Sequence, residues 1–288
     1  MPSTSKPEKL NVTSSIGVDL GGTKISAGLG KNGLIKQKRT RLLTDKESLD
    51  CTLSQVIKLI KPLVKNSVKG IGIGVPSVVD LKEGIVYNVT NIPSWKQVPI
   101  KKILQDEFDL PVFVNNDVNC FVMGEFQFGL ARGFQNVVGL TIGTGLGAGI
   151  ILDGKPYYGQ NCGAGEVGLF PYLDHTIEYY ASGNFFNVFH QVSALEAFNL
   201  ATENEPKALK AWQEFGQHLG NALKMVIYAY DPQIVVMGGS LTKAFPYFQA
   251  SMLDALNGFE FPETIRKVKI FASQNENISL LGAVAMVQ

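Results

Sequence analysis

Ile16-Gly-Val-Asp-Leu-Gly-Gly-Thr-Lys-Ile-Ser-Ala-Gly-Leu29 holds two short apolar runs, Ile16 to Leu20 and Ile25 to Leu29, on either side of Gly21-Gly22. Apolar runs that short, broken by paired glycines, predict a β-hairpin. A second stretch repeats the arrangement: Val137 to Ile142, the turn Gly143-Thr-Gly-Leu-Gly147, then Gly149 to Leu152 ending at Asp153-Gly154. This second turn contains a formal G-x-G-x-x-A match, Gly143 to Ala148. A dinucleotide fingerprint needs a helix after its glycines, whereas here an apolar strand pattern follows, so the Rossmann reading fails. No G-x-x-x-x-G-K-[ST] run exists either, which removes the P-loop class.

Outward from the hairpins, the periodicity changes. Lys46 to Val64 carries Leu49, Leu53, Val56, Ile57 and Ile60 at helical spacing and meets Pro62. Gly70 to Val75 and Pro111 to Asn115 read as short strands, the latter running straight into a helical pattern, Val118 to Phe128. Pro206 to Tyr230 is the longest predicted helix. Ile234 to Met237 is a buried strand meeting Gly238-Gly239, and Val268 to Ala272 and Ile278 to Val287 read as a strand and a final apolar helix. Each half therefore opens with a hairpin and continues in βα units, which predicts two α/β lobes of related design. The expected division is a smaller N-terminal lobe at 1–116 and a larger lobe at 117–276. Residues 1–14 are expected to be a disordered lead-in, and a final helix within 277–288 to return to the first lobe.

Composition excludes several classes. At 288 residues, with 45% hydrophobic and 18% charged residues, the chain is an ordinary folded protein long enough for two cores. A net charge of +1 gives no electrostatic footprint for nucleic acid. Cys51, Cys120 and Cys162 are odd in number and lack C-x-x-C spacing, against a disulfide framework or cysteine zinc site. The polar start and the lack of an apolar run of roughly 20 residues make the cytoplasm the expected location.

Several motifs can carry chemistry, each with a plainer alternative. Asp19-Leu-Gly-Gly-Thr-Lys24 could present backbone N–H groups to phosphate oxygens, with Asp19 near a magnesium ion and Thr23 offering a hydroxyl; it could equally be an ordinary hairpin turn. Gly143-Thr144-Gly145, with Thr141 beside it, is a second phosphate cradle or a plain glycine-rich turn. Asn116-Asp117 sits where a strand meets a helix, so Asn116 or Asp117 is either an N-cap or, respectively, a sugar-orienting amide and the base for an attacking hydroxyl. Glu166 and Glu178 could each accept two sugar hydroxyls, or be solvated surface residues. Gly238-Gly239-Ser240 could let an adenine lie on bare backbone, or be a capped βα turn.

The order of these motifs resembles the ROK family of sugar kinases and repressors, within the actin and hexokinase-like (ribonuclease H-like) ATPase superfamily. The matching segments are Asp19-x-Gly-Gly-Thr-Lys24, Asn116-Asp117, Gly143-Thr-Gly-x-Gly147, Gly163-Ala-Gly-Glu-x-Gly168 and Gly238-Gly239. The resemblance implies phosphoryl transfer from ATP with Mg2+ in a cleft between two lobes. By the same resemblance Asp117 would be the base, and Asn116, Glu166 and Glu178, with Ser77 and Thr90 from neighbouring loops, would hold the sugar. Asp19, Gly21, Gly22, Thr23, Lys24, Thr141, Gly143, Thr144, Gly145, Gly238 and Gly239 would face the nucleotide. The chain departs from the family at Glu166-Val-Gly168-Leu169, where the usual motif ends in histidine, and Leu169 to Ile177 is too short for the family's zinc-binding cysteines. No zinc is expected, and His175 is a weak substitute contact. Glucose phosphorylated at its 6-hydroxyl is the leading acceptor, with N-acetylmannosamine, N-acetylglucosamine or fructose as rivals. A sugar-sensing protein without catalysis is the alternative class, but the lead-in is too short for the repressors' helix-turn-helix. A homodimer is the expected assembly.

Overall fold

A computed structural model describes residues 14–287. Of the expected lead-in at 1–14, residues 1–13 lie outside the described residues, and Ser14 instead belongs to the first strand. The first half contains β1 (Ser14–Leu20), β2 (Lys24–Lys31), β3 (Leu34–Leu42), α1 (Leu49–Ile60), β4 (Val68–Val75), β5 (Val79–Asp80), β6 (Ile85–Tyr87), β7 (Gln97–Val98), α2 (Ile100–Phe108) and β8 (Val112–Asn116). Its main sheet has five strands in the order β3-β2-β1-β4-β8, with β1, β4 and β8 parallel and the β1–β2–β3 meander antiparallel. β1 is buried along nearly its whole length, as its apolar sequence requires of a central strand. β3, with Lys36, Lys38, Arg39 and Arg41, is the solvent-facing edge, and its charges guard an unpaired strand against association.

The second half contains α3 (Asp117–Phe128), β9 (Val137–Ile142), β10 (Leu146–Leu152), β11 (Lys155–Tyr157), β12 (Pro171–Tyr172), β13 (His175–Thr176), α4 (Ile177–Tyr180), α5 (Asn184–His190), α6 (Ala194–Thr202) and α7 (Pro206–Tyr230). It continues with β14 (Ile234–Gly238), α8 (Phe245–Ala255), α9 (Pro262–Lys267), β15 (Lys269–Ala272) and α10 (Ile278–Ala285). The second sheet runs β11-β10-β9-β14-β15, again five strands with an antiparallel meander feeding parallel neighbours. The two sheets thus share one topology, which is the two-fold echo that the hairpins suggested. Residues 169–177, expected to be too short for a cysteine cluster, form the small β12–β13 hairpin against α4.

Local chemistry sets the helix ends. Ser48 caps α1 by accepting the Cys51 N–H, so this helix starts at Leu49 rather than Lys46. Glu205 caps α7 through the Ala208 N–H at 2.7 Å, with Pro206 pre-set for the first helical position. The larger lobe packs Trp212, Phe215 and Phe248 in one apolar core, and the first lobe packs Trp95 in another, its Nε1 donating to Thr52 Oγ1 at 2.8 Å. A third apolar group joins them: Phe121 and Val122 of α3 with Ile278 and Leu281 of α10 meet Val137, Ile234 and Val236.

α10 lies on the first sheet at very close range. A Cβ added at Gly72 of β4 would fall 1.9 Å from the Ala283 carbonyl oxygen, and one at Gly17 of β1 2.2 Å from that of Leu280. Only glycine lets a helix backbone approach a sheet this closely. The C-terminal helix therefore fixes β1 and β4, the strands whose ends lead into the site.

Candidate active site

Asp19 lies near the end of β1, and Asp117 opens α3 directly after β8; β4 separates the two strands. Side chains at the carboxyl ends of parallel strands converge on one crevice. Asp117 keeps slight contact with solvent, yet dense protein surrounds it, and burial together with the charges of Asp19 and Glu166 pushes its carboxyl up to about 7. Backbone N–H groups pull the other way, that of Val118 donating to Asp117 Oδ1 at 3.0 Å. Burial also raises Asp19, while Lys24 and Lys38 lower it. Among the described residues no Lys, Arg or His nitrogen approaches within 4.0 Å of either aspartate. The crevice thus holds acidic groups in need of positive charge.

Asn116 acts as the helix cap. Its Oδ1 accepts the N–H of Val118 at 2.8 Å and of Asn119 at 3.3 Å, and its Nδ2 donates to the Ser77 carbonyl at 3.3 Å. One Nδ2 hydrogen is left over for a ligand. The Ser77 hydroxyl is committed to the Tyr87 carbonyl, and Thr90 is exposed.

The turn at Gly21 closes through its N–H and the Lys24 carbonyl at 2.9 Å, leaving Thr23 and Lys24 exposed. Gly22 packs on Asn91, whose Cβ would stand 2.4 Å from an added side chain. Asn91, unremarked in sequence, joins the site only because the loop before β7 folds back over the hairpin turn.

In the second turn Gly143 donates to the Gly145 carbonyl at 3.0 Å and its own carbonyl accepts the Gly183 N–H at 2.7 Å. Thr144 is exposed at the tip, and Thr141 pairs in register with both Gly147 and Gly238. Gly143 also faces Ser240, so this turn and the one after β14 are neighbours. Gly239 has φ of +94°, the left-handed region in which glycine is at ease. Gly238 differs from its expected role: a Cβ there would lie 2.3 Å from the Phe121 ring, so on that side its bareness admits α3 rather than a ligand.

Burial raises the Glu166 carboxyl, and the charge of Glu178 adds to it. Glu166 is exposed to the crevice, and its carbonyl accepts the Leu169 N–H, leaving the Leu169 side chain 58% exposed. Glu178 turns toward the second glycine turn, where its Oε2 accepts the Leu146 N–H at 3.3 Å and would stand 2.8 Å from a Cβ on Gly145. At least one of its oxygens therefore braces a turn. A surface groove of ≈ 670 Å³ runs between β3 and α1 past Arg39, Arg41 and Lys58 and includes none of these residues.

A profile of the ROK family matches residues 15–288, nearly the whole chain. The chain belongs to the ROK family. ROK relatives include the N-acetyl-D-glucosamine kinase of Escherichia coli, 31% identical, with 83% of this chain and 88% of that one covered. The glucokinase of Thermotoga maritima is 27% identical over 95% of this chain and 96% of its own length. Among solved structures, the ROK family glucokinase of Streptomyces griseus in complex with glucose and AMPPNP superposes with a TM-score of 0.82 at 25% identity, covering 95% of this chain and 98% of that one. The two-lobed α/β ATPase fold is thus that of the ROK sugar kinases. No helix among the described residues is long and apolar enough to cross a membrane.

Proposed function

We propose that the protein is an ATP-dependent sugar kinase that transfers the γ-phosphoryl group to a hydroxyl of a hexose, glucose at its 6-hydroxyl first. Relatives carry glucokinase and N-acetylglucosamine kinase names, so N-acetylglucosamine is a competing acceptor, beside N-acetylmannosamine and fructose. One observation carries the reading: Asp117, at the mouth of β8, has its carboxyl held at about 7 by burial and by Asp19. A base so tuned is half-ionised near neutral pH and accepts a proton as readily as it holds one.

In this reading the sugar hydroxyl gives its proton to Asp117 as it attacks phosphorus. The spare hydrogen of Asn116 Nδ2 and the carboxylate of Glu166 orient the ring. The N–H groups of Gly21 and Gly143 close their own turns, so those of Gly22 and Thr23 and of Thr144 and Gly145 receive the phosphates, and Gly239 faces the nucleoside. Phosphoryl transfer depends chiefly on such placement and charge neutralisation. The acidic pair Asp19 and Asp117, without a cationic side chain in contact, fits Mg2+, which Asp19 would hold through water. Bound there, Mg2+ supplies neutralisation of the charge on the phosphates.

The test is ADP release on a panel of hexoses and N-acyl hexosamines. Turnover with one acceptor well above the rest is expected; a panel with no turnover overturns the kinase reading and leaves a sugar sensor.

A further inference from the structure

The loop between β11 and Glu166 leaves the second sheet, touches the first, and returns. Besides Tyr158, whose hydroxyl bonds Met123 Sδ at 3.3 Å, its point of contact is a thiol. Cys162, in the left-handed region at φ of 56°, is 5% exposed and packs within the apolar core of the first lobe. Its sulfur donates to Asn115 Oδ1 and accepts from Asn119 Nδ2, each at 3.6 Å. The same Asn115 oxygen accepts the Asn116 N–H at 2.8 Å and Asn119 Nδ2 at 2.9 Å. Asn115 and Asn119 are 3% and 2% exposed, so three buried polar side chains close on one another. They do so at the corner that presents Asn116 and Asp117.

A second anchor follows three residues later. The Gly165 carbonyl accepts the Ala148 N–H at 2.9 Å, and at φ of +99° a side chain there would press its Cβ to 1.8 Å from the Ala148 oxygen. Glu166 comes next in the chain, tied through Gly165 to the second sheet and through Cys162 to the first. A buried polar group keeps its partners because a lost one leaves its desolvation uncompensated, and a satisfied buried network rigidifies the segments it joins. Burial raises the Cys162 thiol, so it remains protonated and available to donate at neutral pH.

We propose that Cys162 is a positioning residue of the sugar site: by bonding Asn115 and Asn119 it sets the loop bearing Glu166 against the corner bearing Asp117. This rests on the kinase reading above. A cysteine that merely filled space would affect stability and little else.

The experiment uses the full chain with Cys162→Ala, Cys162→Ser and Asn119→Ala, the last probing the same contact from the other side. Amide exchange of residues 158–168 is followed by mass spectrometry, together with KM for sugar and for ATP. Loss of the contact in Cys162→Ala is expected to speed exchange in this loop and raise the sugar KM about tenfold, with the ATP KM within about twofold. Cys162→Ser, keeping a donor and acceptor, recovers most of the loss. In a Glu166→Gln background the Cys162→Ala change adds nothing further. Unchanged loop exchange, equal rises in both KM values, or additivity with Glu166→Gln overturns the proposal. An inert wild type marks failure of the kinase reading instead, and exchange, which needs no turnover, then decides the anchoring alone. Should Cys162→Ala not fold, Asn119→Ala answers the same questions.

Discussion

The charge of Asp19 pushes the carboxyl of Asp117 upward, second only to burial, although the two residues come from strands that β4 keeps apart. The readiness of the proposed base is therefore set by a neighbour on another element. Asp117 at about 7 in the metal-free protein predicts an acidic limb in kcat/KM for the sugar with the slope of a single proton, lying below that pH once Mg2+ is bound beside Asp19. In Asp19→Asn the repulsion is gone, and the acidic limb moves to lower pH. A pH–rate profile of both proteins measures this, and an identical limb in the two would mean that Asp117 is not the titrating group.

The same shift has a consequence for stability. The folded pKa of Asp117 lies above its ordinary value of 3.8. Stability from the protonated form is fully present below 3.8 and lost as pH rises through about 7. Above that pH the ionised carboxyl costs the apoprotein up to roughly 4 kcal/mol, solvent in the crevice reducing the figure. Asp117→Asn is therefore expected to melt higher than wild type at pH 8, the gap closing toward pH 4, while kcat drops at least about 100-fold. Thermal melts across pH with parallel turnover check both halves; a lower melting temperature at pH 8 would contradict the electrostatic account.

Most of the architecture was legible because its signals are local. Two apolar runs around Gly21-Gly22, and again around Gly143 to Gly147, admit few readings, and Pro206 to Tyr230 carries its own start and stop. β3 was missed for a physical reason: a solvent-facing edge strand buries little, so Leu34–Leu42 shows charges instead of alternation. The small sheet of β5, β6 and β7 escaped because strands of two or three residues leave no period. In the site, residue types pointed to Asp19, Asp117 and the glycine turns, but neighbours set by folding were invisible. Asn91 meets Gly22, and Phe121 fills the space beside Gly238, only through contacts far apart in sequence. Asn116, open between cap and ligand contact in sequence, is a cap with one hydrogen to spare.

Two glycine substitutions should separate scaffold from site. Gly72→Ala forces a Cβ to 1.9 Å from the Ala283 oxygen, both on backbones that cannot yield cheaply. A loss of about 3 kcal/mol or more is expected, seen as a lower midpoint in urea, because α10 must lift from β4. Gly22→Ala meets the Asn91 Cβ at 2.4 Å, an atom that no side-chain rotation moves, so relief comes from displacing the exposed loop that carries Asn91 rather than a helix packed on a sheet. Its stability should change by less than about 1.5 kcal/mol, while the ATP KM rises at least about fivefold as the phosphate-facing turn and Asn91 shift. Equal stability losses in the two variants would refute the distinction.

Glu178 offers the sharpest difference between what its residue type suggested and what its contacts imply. As a sugar ligand alone, its removal would raise the sugar KM and spare ATP. Its Oε2, however, accepts the Leu146 N–H and stands against Gly145, so the carboxylate holds the turn proposed to receive phosphate. Without it the Leu146 N–H loses its charged acceptor, a contact worth roughly 1.5–3 kcal/mol. Glu178→Ala should therefore raise the ATP KM about tenfold or more and lower kcat. Glu178→Gln, which keeps an oxygen for Leu146, should lose far less on ATP than on sugar. Removing Glu178 also relieves Glu166 of a like charge and lets its carboxyl ionise at lower pH. Steady-state kinetics with each substrate varied in turn decides the matter: an unchanged ATP KM in Glu178→Ala returns the residue to the sugar alone.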